Sequence, residues 1–260
     1  MLGGVPATTD RYGPDPAHTA DLLVPAGPGP HPVVVLVHGG FWRARYGRDL
    51  MAPLAADLEA AGWASWNVEY RRLGQAGGGW PGTFADVAAA VDHLAGLAGP
   101  HALDLARVVT VGHSAGGHLA LWLACRPGLP AGAPGAGPAV RVAAAVSQAG
   151  VVDLVAGCDL SAGAAVDLLG GRPDEVPDRY ALASPCARVP LGVRQLLVHG
   201  LDDDTVPVDL SRRHAAAARA AGDDVELVEL PAVGHMDVID PANPAWAAVR
   251  ARLAALAPPT

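Results

Sequence analysis

Val108-Val109-Thr110-Val111-Gly112-His113-Ser114-Ala115-Gly116-Gly117 is the stretch on which the reading of this chain turns. Its first four residues are an apolar run of strand character, and the Ala/Leu-rich Ala115 to Ala124 that follows reads as a helix. Between them stands a G-x-S-x-G turn in the strand-to-helix context that the pattern needs. A side chain two residues before or after the serine would collide with the crossing backbone, so both places are glycine. Such a turn holds the Ser114 hydroxyl out above the sheet, and the helix N-terminus offers N–H groups and a positive dipole end to a developing oxyanion. Its bland alternative is a Gly/Ser turn that merely joins a strand to a helix.

Outward from this turn, buried strands and amphipathic helices alternate. The apolar runs Val33 to Val37, Ala64 to Val68, Val108 to Val111, Val142 to Val146, Arg194 to Val198 and Val225 to Glu229 read as strands. Arg48 to Ala61, Thr83 to Ala98, Ala115 to Ala124, Val208 to Ala221 and Pro244 to Ala257 read as helices. Near-continuous apolar strands between helices imply an α/β fold with a mostly parallel sheet covered on both faces. The Pro/Gly/Ala-rich Pro127 to Pro138 is expected to be an exposed loop. Gly150 to Gly192 is long and mixed, an insertion over the sheet edge or a small lid. With no linker and no repeat, residues 1–260 are expected to form one domain, with 150–192 as its probable lid or insertion segment.

Composition narrows the function further. A net charge of -8, with 18 basic residues that are all arginine and unclustered, gives no attraction to nucleic acid or anionic lipid. Cys125, Cys158 and Cys186 are scattered without metal-ligand spacing and read as small buried hydrophobes, so neither a metal nor a redox site is expected. Met1 to Asp10 has no basic, apolar leader pattern and no run reaches the length of a membrane span, which together predict a cytoplasmic protein. Oligomeric state is open, and Trp246 in the last helix is expected to pack in the core.

Three further strand ends carry chemistry. His38-Gly39-Gly40-Phe41-Trp42 follows the first strand at the carboxyl rim, where open α/β sheets bind ligands. Its glycines allow the N–H groups of Gly40 and Phe41 to join that of Ala115 as oxyanion donors. His38 reads as a loop-stabilising side chain, and Trp42 as a pocket wall. Ser114 needs a base, and the base an orienting acid. His199-Gly200-Leu201-Asp202-Asp203-Asp204-Thr205-Val206-Pro207 is a carboxylate-rich loop after one strand, and Val233-Gly234-His235-Met236-Asp237 follows the next. His235 is the expected base. His113 and His118 read as groups packed or hydrogen-bonded beside the serine turn, His113 being also a candidate substrate contact. Asp237 reads as a loop or helix-start hydrogen-bonder, Asp86 and Asp92 as solvated or capping carboxylates, and Asn67 to Arg72 as buried support for the rim.

The order Ser, Asp, His, together with the HGG segment, Gly112-His113-Ser114-Ala115-Gly116-Gly117-His118, His199-Gly200 and Gly234-His235, resembles the α/β-hydrolases. Within them it is similar to the HGG-containing esterase and arylformamidase-like branch. The resemblance covers nearly the whole chain. It implies that Asp203 is the acid, by the match of His199, Gly200, Asp203, Val206 and Pro207 to the family's H-G-x-x-D-x-x-V-P segment, with Asp202 and Asp204 capping or facing solvent. It further implies a serine hydrolase with a Ser114–His235–Asp203 triad that needs no cofactor and cleaves a small carboxylic ester or amide. The alternatives are an arylformamidase acting on N-formylkynurenine, a small peptidase, a non-catalytic ligand-binding homologue, and a lyase or acyl-transferase that keeps the triad. Gly150 to Gly192, with Leu168 and Leu169, is expected to supply the acyl or leaving-group pocket.

Overall fold

The computed structural model describes residues 7–258; most of the Met1 to Asp10 reading therefore lies outside the described residues. Eight strands form one sheet: β1 (Thr8–Arg11), β2 (Thr19–Leu23), β3 (His31–Val37), β4 (Ala64–Val68), β5 (Leu103–His113), β6 (Ala144–Gln148), β7 (Arg194–Gly200) and β8 (Val225–Leu230). Their order is β1-β2-β4-β3-β5-β6-β7-β8. From β4 to β8 all pairings are parallel, and β1 and β2 add antiparallel to the β4 side. The helices are α1 (Ala52–Ala60), α2 (Gly82–His101), α3 (Ala115–Cys125), α4 (Leu160–Leu169), α5 (Pro177–Ala183), α6 (Asp209–Ala220) and α7 (Pro244–Leu256).

Strand β3 shows why the apolar runs are continuous. Alternate side chains enter opposite layers, Val33, Val35 and Val37 packing with α2 and α3, and Val34 and Leu36 with α1 and α7. A strand with helices on both faces has no solvent side and needs no polar alternation. Helix α3 is enclosed on all sides, every residue from Ala115 to Cys125 being buried. Among the described residues no helix is long and apolar enough to cross a membrane.

The six predicted strands and five predicted helices are present, with shifted ends. The first turn of the Arg48 to Ala61 helix is a 3-10 turn, Arg48–Met51. The β1–β2 hairpin was not predicted; Thr8–Arg11 is polar and largely exposed, so it carries no hydrophobic period. Asp86 and Asp92 correct their expected roles. Asp86 is buried and receives the Arg71 guanidinium through two nitrogens at 2.8 and 2.6 Å. Asp92 pairs with Arg126 and accepts the Ala139 and Val140 N–H groups, so it fastens the Pro/Gly/Ala-rich loop to α2.

The 150–192 insertion contains α4 and α5 and packs into the α2–α3 layer. His118 Nε2 donates to Ala183 O at 2.9 Å and Trp122 Nε1 to Leu182 O at 3.1 Å. Leu168 and Leu169 are core residues at 1% and 0% exposure.

Trp246 is fully buried, as expected, and its indole N–H donates to Asp57 Oδ2 at 2.7 Å, joining α7 to α1. Trp246→Ala leaves both a large cavity and an unpaired carboxylate oxygen. Urea unfolding is expected to show a loss of about 3–5 kcal/mol with an unchanged slope.

Candidate active site

Ser114 stands between β5 and α3 at φ 55° and ψ -120°, a conformation that L-residues adopt only when the surroundings enforce it. Its N–H is held by Gln148 O at 2.8 Å. The flanking glycines are required by contact. A Cβ on Gly112 would overlap the Gly116 carbonyl, and one on Gly116 would overlap the Val37 carbonyl of β3. Helix α3 thus starts directly against the end of β3, which brings Ser114 beside the loop that leaves that strand.

In this loop Gly40, Phe41 and Trp42 all have positive φ, at 107°, 50° and 55°. Among the described residues, the N–H groups of Gly40, Phe41 and Ala115 have no hydrogen-bond acceptor. The loop is braced from below. His38 is buried, with Nδ1 2.8 Å from Gly39 O and Nε2 2.9 Å from Glu69 Oε1, so it supports the loop as its position predicts. Tyr70 stacks on the His38 ring at 4.4 Å and donates its hydroxyl to His38 O at 2.9 Å; it supports the rim and does not reach the cavity. Burial raises the Glu69 carboxyl, but the His38 hydrogen bond, the charges of His38 and Arg72 and the Tyr70 N–H outweigh it and hold it below its ordinary value.

On the far side of the rim, Asp203 and His235 meet across the ends of β7 and β8. His235 Nδ1 is 2.7 Å from Asp203 Oδ2, while Asp203 Oδ1 accepts the Thr205 and Val206 N–H groups at 2.9 and 2.8 Å. Burial pushes the Asp203 carboxyl up. The His199 and His235 imidazoles and the Val206 N–H overcome this and hold it well below the usual carboxylate range. Its charge is therefore kept, and the Nδ1–H tautomer of His235 is fixed. The two neighbours take other roles. Asp204 Oδ1 accepts the Thr205 hydroxyl at 3.0 Å, and the Asp202 N–H donates to Val233 O at 3.1 Å. Gly200 is needed because the Val233 carbonyl, two residues before His235, lies where a Cβ would be. Asp237 accepts the Gly234 N–H at 2.7 Å and closes the loop around His235.

Ser114 and His235 line one cavity of about 240 Å³, without a hydrogen bond between them. Its other lining residues are Gly40, Phe41, Tyr46, Leu50, His113, Thr205 and Met236. His113 lines the cavity. Trp42, Leu168 and Leu169 do not. Trp42 is 1% exposed, turned under the loop by its own positive φ and packed edge-on to His118 at 5.3 Å, and the two leucines lie in the core cluster shared with α2 and α3. No residue of 150–192 lines the cavity. Tyr46, Leu50, Thr205 and Met236 were not foreseen. Thr205 and Met236 are close in sequence to Asp203 and His235, a signal that was available. Tyr46 and Leu50 reach the cavity because the chain doubles back after Trp42, which no local pattern encodes. Among the described residues no group of three His, Cys, Asp or Glu side chains is placed to hold a metal ion.

A serine on an enforced turn after β5, an Asp–His pair at the ends of β7 and β8 and a mostly parallel sheet with helices on both faces define an α/β-hydrolase fold. The chain belongs to the BD-FAE family, which matches residues 20–217. It is 30% identical over 254 residues to the esterase LipC of Mycobacterium tuberculosis, an alignment that covers 89% of this chain and 60% of LipC. The chain thus spans less than two thirds of that relative's length. Among solved structures it superposes on a truncated carbohydrate esterase from gut microbiota, with a TM-score of 0.85, 22% identity and coverage of 98% and 97% of the two chains. Butyrate-bound esterase 2 of Thermogutta terrifontis gives a TM-score of 0.78 at 22% identity, over 98% of this chain and 96% of that one.

Three buried histidines around this framework carry a stability cost at low pH. Burial pushes His113 down to about 3, and His118 and His214 down to about 4. The unfolded chain binds protons at these groups from about pH 6.5 downward and the folded protein does not. Stability is therefore full above pH 6.5 and falls as pH descends toward 4, by up to about 1.4 kcal/mol per pH unit for each group. Urea midpoints measured at pH 7, 6, 5 and 4 should decrease steadily; a flat profile would contradict neutral burial of these rings.

Proposed function

We propose that this protein is a serine esterase that hydrolyses a small carboxylic ester through an acyl-enzyme. The observation that carries the reading is the Asp203–His235 pair at 2.7 Å, set in the same cavity as a serine held at φ 55°. Membership of the BD-FAE family and the likeness to LipC support ester hydrolysis over the other reactions open to this fold.

In this mechanism His235, with Nδ1–H donated to Asp203, presents Nε2 to the cavity and takes the Ser114 proton as Oγ attacks the ester carbonyl. The carbonyl oxygen becomes an oxyanion received by the N–H groups of Gly40, Phe41 and Ala115, each such donor being worth about 3–4 kcal/mol in the transition state. The imidazolium then passes the proton to the departing alkoxide. Water, deprotonated by the same nitrogen, releases the acid and restores Ser114. Neither a metal nor an organic cofactor enters any step.

The cavity walls indicate the acyl group. At about 240 Å³ it lies under the roughly 300–1,000 Å³ of ordinary ligand pockets, and Phe41, Leu50 and Met236 give it apolar sides. A short acyl chain fits this space. The second reading, cleavage of N-formylkynurenine, rests on the His38-Gly39-Gly40-Phe41-Trp42 motif and enters the same assay.

Initial rates on p-nitrophenyl acetate, butyrate and octanoate and on N-formylkynurenine test both. Acetate and butyrate esters are expected to exceed octanoate in kcat/KM. Ser114→Ala should lower kcat by about 10⁴-fold or more, and an organophosphonate should add one adduct, on Ser114. Formamide turnover above ester turnover would replace the ester reading. Undiminished turnover in Ser114→Ala would overturn the serine mechanism.

A further inference from the structure

The proposed acid is in contact with two imidazoles. His235 is one. The other is His199, fully buried in β7, whose Nε2 lies 3.3 Å from Asp203 Oδ2 and 2.9 Å from Val206 O. Its other nitrogen, Nδ1, is 2.7 Å from Ser211 Oγ of α6. Two acceptors and no donor face Nε2, so the proton sits there. Nδ1 is then the acceptor and takes the Ser211 hydroxyl hydrogen. Every polar atom of the ring is used, and the ring is fixed between a strand and a helix.

From the serine-esterase reading and this geometry we infer that His199 is a positioning residue, a bracket that fixes both the place and the charge distribution of Asp203. The carbonyl of Val206 is bound by His199, and the N–H of the same residue is bound by Asp203 Oδ1 at 2.8 Å. Val206 thus links ring and carboxylate, and the Asp203 loop has one orientation relative to β7. The Nε2–H also lies beside the oxygen that receives His235. It draws on the negative charge that would otherwise bear on His235 alone.

The other charged or titratable groups near this chain are few. His113, at the end of β5, has its ring 4.6 Å from that of His235 and bonds to the His235 carbonyl at 2.9 Å through Nε2. Asp237 holds the His235 loop through the Gly234 N–H, and Asp202 and Asp204 flank Asp203. Glu229 of β8 is the register partner of His199 and is itself paired with Arg212 of α6 at 2.7 Å. None of these touches Asp203 Oδ2, which receives the two imidazoles.

The test compares His199→Gln with His199→Asn, with wild type and Ser114→Ala as controls, on p-nitrophenyl acetate over pH 4.5–9. A Gln amide reaches the position of Nε2 and can donate to Val206 O and the carboxylate; an Asn amide is one methylene shorter and reaches only the position of Nδ1. His199→Asn is expected to lose about 10–100-fold in kcat with KM within about 3-fold of wild type. The acid limb of its kcat/KM profile should move up by about 0.5 pH unit, because the whole Asp203 charge then acts on His235. His199→Gln should keep the wild-type limb and lose less than about 5-fold in kcat. Equal behaviour of the two variants, either both like wild type or both reduced with an unmoved limb and a lower Tm, would reduce His199 to packing and overturn the inference while leaving the serine reading intact. Full turnover by Ser114→Ala would overturn both.

Discussion

The close approach of α3 to β3 is the constraint from which the rest of the site follows. Because Gly116 has no side chain, the first turn of α3 lies against the Val37 and His38 carbonyls. The chain leaving β5 must then turn within one residue, and Ser114 takes the backbone conformation that this demands. The same contact places the N-terminus of α3 beside the Gly40–Trp42 loop. The N–H groups of Gly40, Phe41 and Ala115, without acceptors among the described residues, therefore come from two separate segments brought together at one rim of the sheet. Backbone strain at Ser114, Phe41 and Trp42 is compensated by burial on both faces of the sheet and by the His38–Glu69–Tyr70 brace.

Much of this arrangement was legible in the sequence. The strands from β3 to β7 are largely apolar because they are covered on two faces, and a run of this kind is visible without any partner, whereas β8, VELVEL, lies at the sheet edge and is only partly buried. The glycines around Ser114, the HGG loop, the acid-rich loop and the loop histidine occur each at a strand end, which is enough to bring them to one rim. What remained hidden depends on long-range placement. The β1–β2 hairpin exists because β4 offers it an edge, and its own residues do not announce it. Leu168 and Leu169 are as apolar as a pocket wall would be, and only their burial in the core cluster shared with α2 and α3 shows that they are core. Trp42 follows two residues that belong to the cavity, but its positive φ turns the indole under the loop. Asp86 and Asp92 look like surface carboxylates until Arg71 and Arg126 are seen to come back to them.

The insertion has a different relation to the site from the one that its length suggests. It lends no side chain to the cavity. It does touch the continuation of the Gly40–Trp42 loop, since Arg43, next to Trp42, reaches Ser161 O at 2.7 Å and Ser161 Oγ at 3.2 Å. Ser161, Ala162 and Gly163 all have positive φ at that point. The insertion therefore helps to fix the loop from behind, by an ion-dipole contact and by packing.

The parts of the candidate site are contributed by the ends of β3, β5, β7 and β8, so that Gly40 and His235 face one cavity although most of the chain lies between them. No hairpin, helix pair or βαβ unit contains enough of it to function. Loop-closure entropy must be overcome several times before the hydroxyl, the imidazole and the carboxylate are neighbours. If the site acts as proposed, its turnover would report the tertiary order of the whole sheet, because a sheet lacking β3, β5, β7 or β8 lacks a part of the site.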